Sequence, residues 1–133
     1  MNTFAPVRIG ATLAVALALA ACSAAAPTPT PPPVAIDLLA QANAAMGRLD
    51  DAVELYRAGD TDAALDAAAE AYENHFELIE HPLEEINEEF MEELEVLIAT
   101  RIRAAMSEGQ PASTVSLLIE EAKEGLRQAR EML

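Results

Sequence analysis

The sequence predicts an all-α protein, an antiparallel up-down-up-down four-helix bundle that follows a signal peptide and a Pro-rich linker. Three observations lead there. Ala, Leu and Glu, strong helix formers, dominate residues 35–133, and the chain has no Trp. Apolar side chains recur there at steps of three and four, the spacing of one helix face. Gly59, Pro82, Gly109 and Pro111 divide that region into four segments of about 21 to 26 residues with short connections, the pattern of an up-and-down bundle.

Residues 1–21 come first. One cation, Arg8, precedes an apolar run from Ile9 to Ala21, and small residues stand at the cut, the layout of a secretory signal. The run has 13 residues, short of the roughly 20 that span a bilayer, so no permanent transmembrane helix is expected. The tetrapeptide Leu19-Ala20-Ala21-Cys22 resembles the lipobox of bacterial lipoproteins. That resemblance implies a diacylglycerol on the Cys22 thiol, cleavage before Cys22, and anchorage at the outer membrane (periplasmic side) or the outer face of the cytoplasmic membrane. Ser23 favours the outer membrane where the organism has two. With one cysteine in the chain there is no intrachain disulfide, and the domain must hold by its core. Residues 22–34 carry five prolines between Pro27 and Pro33 and read as an extended tether, about 3.1 Å per residue.

Residues 35–133 are expected to form one domain. The first helix, ending near Ala58, turns Leu39, Ala42, Met46, Leu49, Val53 and Tyr56 inward. Gly59 supplies a left-handed C-cap and Asp60 the next N-cap. A second helix buries Leu65, Ala68, Tyr72, Phe76 and Ile79 and stops near His81, because a residue before proline is pushed out of the α region. Pro82 opens the third, whose stripe is Leu83, Ile86, Phe90, Leu94, Leu97 and Ala105, with Arg101 on the same line. A single kinked helix through residues 60–107 is the alternative. The fourth, from about Ala112, buries Val115, Leu118, Ile119, Ala122, Leu126, Ala129 and Leu133.

Charge sets the function classes. Without residues 1–21 the chain holds 7 Lys and Arg against 23 Asp and Glu, a net charge of −16. Such a surface repels nucleic acid and anionic lipid and attracts cations or basic partners. No Lys or Arg lies between Arg57 and Arg101, an interval with 14 Asp and Glu and both histidines. A hairpin turning at Pro82 would bring Glu77, Glu80 and His81 near Glu84, Glu85 and Glu88. Carboxylates with imidazole suit iron, manganese or zinc, so Glu77, Glu80, His81, Glu84, Glu88 and His75 are the candidate ligands. The competing expectation is a solvated acidic face opposite Arg127 and Arg130. Arg101 is expected to pair with Glu54, Asp62 or Asp66. A nucleophile, base and orienter set is missing, and so is the Glu-x-x-His element of di-iron bundles; no enzyme is expected.

The stretch Tyr56-Arg57-Ala58-Gly59-Asp60, followed by Ala71-Tyr72-Glu73-Asn74-His75-Phe76-Glu77 and then Glu80, resembles the extracytoplasmic helical domain of the bacterial high-affinity iron permease family. A Glu-rich helix over Glu89 to Arg103, a break at Gly109 and a final Leu126 to Leu133 helix extend the likeness over roughly residues 50–133. The resemblance implies a metal-binding accessory protein, iron first, that captures or delivers metal near a permease or other envelope protein. Glu77 and Glu80 match the family's Phe-Glu and following Glu. The family's permease domain, with Arg-Glu-x-x-Glu motifs in membrane helices, has no counterpart in these 133 residues, so transport itself is not implied. Ala52 to Ala71 also resembles part of a tetratricopeptide repeat, which implies a structural or adaptor lipoprotein without a metal site. One partial repeat is too little for such an array to bury a core.

Overall fold

The computed structural model describes residues 36–133, all-helical and without a strand among them. The expectations for the signal peptide, for Cys22 and for the tether lie outside the described residues. Helix α1 spans Leu38–Ala58, α2 Thr61–Glu70, α3 Glu77–Glu95, α4 Ile102–Ser107 and α5 Ala112–Met132. Helix α2 passes into α3 through a π-helical segment, Ala71–Phe76, and α3 into α4 through another, Val96–Arg101.

The caps follow the local sequence. Asp37 accepts the Ala40 N–H at 3.0 Å and starts α1. Gly59 closes it at φ 87°, its N–H on Tyr56 O and that of Asp60 on Leu55 O, a Schellman motif. The Asp60 carboxylate then accepts the Ala63 N–H at 3.2 Å and starts α2. Gly109, at φ 68°, ends α4 with the same pair of bonds, to Met106 O and Ala105 O.

The break expected at Pro82 lies five residues later. Pro82 is inside α3, whereas Asn87 leaves helical geometry at φ −157°, ψ 90°. Two local effects explain the shift. Helix through Pro82 forfeits a hydrogen bond and costs about 3 kcal/mol, but it buries both Ile79 and Leu83 completely, at about 1.5–3 kcal/mol each. Asn87, unlike Pro82, carries an acceptor for a new start: its Oδ1 takes the Phe90 N–H at 3.2 Å. Beyond it the chain returns, because α2 packs against α4, while α1 packs on α2, on the first π segment and on α5.

The core runs from Ala42 to Ala129 and contains no polar or charged residue. Phe76, Leu49, Ile79, Leu83, Ile98, Ile102, Met106, Ile119 and Leu126 are among its largest fully enclosed side chains. Of the expected core residues, Met46, Tyr56, Leu65, Tyr72, Phe90, Leu118 and Leu133 are only partly buried against it, and two are exposed. Leu39 is exposed in the first turn of α1, and Ile86 stands in solvent next to the Asn87 break. The π segments account for others. A π turn, bonded i to i+5, spends one residue more than an α turn and shifts the buried stripe by a position. An unbroken α stripe runs from Leu97 to Arg101; here Ile102 is enclosed and Arg101 is exposed. Likewise the buried positions step by five from Ala71 to Phe76, leaving Tyr72 on the flank.

Candidate functional site: the acidic hairpin and the groove behind it

The acid-rich reach, residues 70–95, occupies both sides of the Asn87 break. His75, on the first π segment, holds this reach to the start of α1: its Nδ1–H donates to Gln41 Oε1 at 2.8 Å. Helix α5 runs antiparallel to α1, as Lys123 on Asp50 and Arg57 on Ser116 establish. The start of α1, the acidic hairpin and the end of α5 therefore share one end of the domain.

One polar cluster links the hairpin's two arms. Tyr72 donates its hydroxyl to Glu95 Oε1 at 3.3 Å, and its ring leans on Phe76 with centroids 6.0 Å apart. Glu80 lies beside them, half-buried, with Oε1 shielded from solvent and lacking a hydrogen-bond partner. Burial pushes its carboxyl above the ordinary range; the Tyr72 hydroxyl opposes this, and the charges of Glu95, Glu77 and Glu84 add to it. Burial, then the contact with Glu80, also raises the Tyr72 phenol.

The six candidate ligands do not gather. Because the chain turns at Asn87 and not at Pro82, Glu77, Glu80, His81 and Glu84 all lie on one arm, the first part of α3, instead of on facing arms. His81 is 80 % exposed and contacts only its own helix, Glu84 and Glu85, each at 3.5 Å. Glu77, Glu84 and Glu88 are exposed, and His75 is taken up by Gln41. Among the described residues no group of three or more His, Cys, Asp or Glu is arranged to hold a metal ion. Sequence reasoning put Tyr72 in the core and did not single out Glu95. Glu80 and Glu95 are equidistant from a turn near Asn87, so only the position of the break reveals the pairing.

The cations are elsewhere. Arg48 pairs with Glu70 at 3.1 Å and with Asp51 at 3.2 Å. Lys123 binds Asp50 at 2.6 Å and Glu120 at 3.1 Å. Arg101 meets Glu121 on α5 at 3.5 Å and none of Glu54, Asp62 or Asp66, the phase shift of the second π segment having carried it to the other side. Arg127 is taken by Glu124 and Glu120 on its own helix, and its ion pairs include no residue of the acidic reach. From Glu73 to Glu95, among the described residues, His81 is the one basic side chain in an ion pair.

Between α3, the second π segment and α5 lies an open groove of about 730 Å³. Phe90, Leu94 and Leu97 form its floor, Val96 stands half-exposed on its wall, and Glu92, Glu93, Glu121 and Glu124 line its rims. Gly125 lets α5 approach: a Cβ there would stand 2.7 Å from Leu94 Cδ1. Glycine inside a helix costs about 1 kcal/mol relative to alanine.

No protein-family model, curated protein or solved structure matches this chain.

Proposed function

We propose that the protein is a lipid-anchored accessory protein of the cell envelope that works as an adaptor, binding a positively charged partner through an acidic helical domain. The domain is read as an up-down-up-down bundle whose arms are α1, residues 61–86, residues 88–107 and α5. The alternating packing of α1 on α2 and α5, and of α2 on α4, supports that topology. The observation that carries the function is the charge of the hairpin, ten carboxylates from Glu73 to Glu95 with no Lys or Arg among them and, among the described residues, none paired to them. A charge density of that kind steers cationic partners and repels nucleic acid. Anchorage is proposed through diacylglycerol on Cys22; no described helix is long and apolar enough to cross a membrane. No catalytic role is proposed.

Capture of iron or another metal cation near a permease is the second reading, the one the family resemblance implies. Glu80 favours it, a half-buried carboxyl with an unpaired oxygen facing a second carboxylate. Calorimetric titration with ferrous, ferric-citrate, manganese, zinc and calcium ions separates the two. Weak, salt-screened, multi-site heats fit the adaptor. Saturable binding of one ion, abolished by Glu77→Ala with Glu80→Ala, would replace it with the metal reading. Loss of membrane association in Cys22→Ala is the expected result for the anchor.

A further inference from the structure

We infer that the groove between α3 and α5 is the docking site for a cationic amphipathic helix of another protein. This rests on the adaptor reading and assigns it a surface. The floor is apolar, built from Phe90, Leu94 and Leu97, and Val96 offers a half-exposed methyl wall. An apolar helix face laid into such a groove, with anchor residues at successive turns, is a common mode of peptide recognition. The rims select the occupant. Of the four carboxylates that flank the groove, Glu121 is engaged by Arg101 and Glu124 by Arg127, which leaves Glu92 and Glu93 on the α3 rim to meet a partner's cations. A helix with Lys or Arg along the edges of its apolar face complements that arrangement. A second copy of this chain does not, since each carries the same large negative charge. The space is of the size that binding clefts have, about 300–1,000 Å³, and the absent side chain of Gly125 brings Leu94 to the floor.

The test uses the mature chain with Cys22→Ser and a fluorescein-labelled 18-residue amphipathic Leu/Lys peptide, with polylysine as the probe that has charge and no apolar face. Saturable one-to-one peptide binding, well above polylysine, is expected by anisotropy. Val96→Glu separates packing from charge, because it adds to the attraction while removing apolar wall. It should weaken the peptide about tenfold, as loss of one buried apolar side chain does. Glu84→Gln with Glu85→Gln, on the hairpin, should change it less than about twofold. Should Val96→Glu lower the melting temperature, Glu93→Lys on the rim against Glu85→Lys on the hairpin's other arm, away from the groove, gives the same reading. Peptide binding that strengthens in Val96→Glu and falls with the hairpin variants overturns the groove and leaves the adaptor reading standing. A chain that binds neither probe overturns both.

Discussion

Lys123 and Glu80 are both partly buried charges between helices, and they are treated in opposite ways. Lys123, 17 % exposed, sits between α1 and α5 with Asp50 and Glu120 upon it, and the Asp50 hydrogen bond holds its ammonium above the ordinary lysine range against the opposing effect of burial. Glu80, between the arms of the hairpin, has no cation, one phenol, and three more carboxylates around it. Around Lys123 the helices also meet through side chains small enough for close approach, with Ala42, Ala45, Ala52, Ala122 and Ala129 fully enclosed. The hairpin is built from larger residues, two π segments, an internal proline and a break at Asn87. The difference separates a region whose charges are matched between helices from one whose carboxylates crowd one another.

The strongest challenge to that contrast is Phe76→Ala. Phe76 is fully enclosed on the first π segment, so its truncation should cost about 3–5 kcal/mol in chemical denaturation. A cost near 1 kcal/mol would mean that the hairpin is loosely packed as well as uncompensated, and would extend the contrast from charge to core.

Next comes the position of the break. Pro82→Ala should stabilise the protein by up to about 3 kcal/mol, because it restores a helix-interior N–H, whereas Asn87→Ala should destabilise it by about 1 kcal/mol through loss of the cap on Phe90. Were the turn at Pro82, the first substitution would be neutral or harmful and the second silent. Thermal melts of the two variants side by side decide it.

On the α1 side, Gly47 is a helical residue with nothing within 4 Å of an added Cβ. Gly47→Ala should therefore raise stability by about 1 kcal/mol. Gly125→Ala gains the same helix propensity but must displace Leu94, so it should fall short of Gly47→Ala in the same melt.

The smallest effect expected is that of Glu80→Gln. The Glu80 pKa is raised in the folded protein, so the folded state binds its proton more tightly than the unfolded chain does. Stability from this group is present below the unfolded glutamate range and is lost as pH rises through the folded value. Glu80→Gln should thus be more stable than the parent at neutral pH, with the advantage fading as pH falls through the raised folded value and gone below the ordinary carboxylate range. An advantage that does not change with pH would show that the Glu80 charge is not penalised by its surroundings.

Much of the architecture was legible in residue order. Helix content, the Gly59–Asp60 cap pair, the stop at Gly109 and the inward faces of α1 and α5 follow from propensity, dihedral preference and a 3.6-residue period, all local properties. The candidate site was legible only in composition: an acidic reach was plain, its internal pairing was not. Tertiary structure decided the turn at Asn87 because burial of Ile79 and Leu83 outweighs the proline penalty, a balance invisible without the partner helices. It also decided the π segments, which insert a residue into the stripe, hide Ile102 and turn Arg101 to Glu121. From those two outcomes follow the meeting of Tyr72, Glu80 and Glu95 and the dispersal of the expected metal ligands. A one-residue change of phase rotates every later side chain by about 100°, and only the packed core selects the phase.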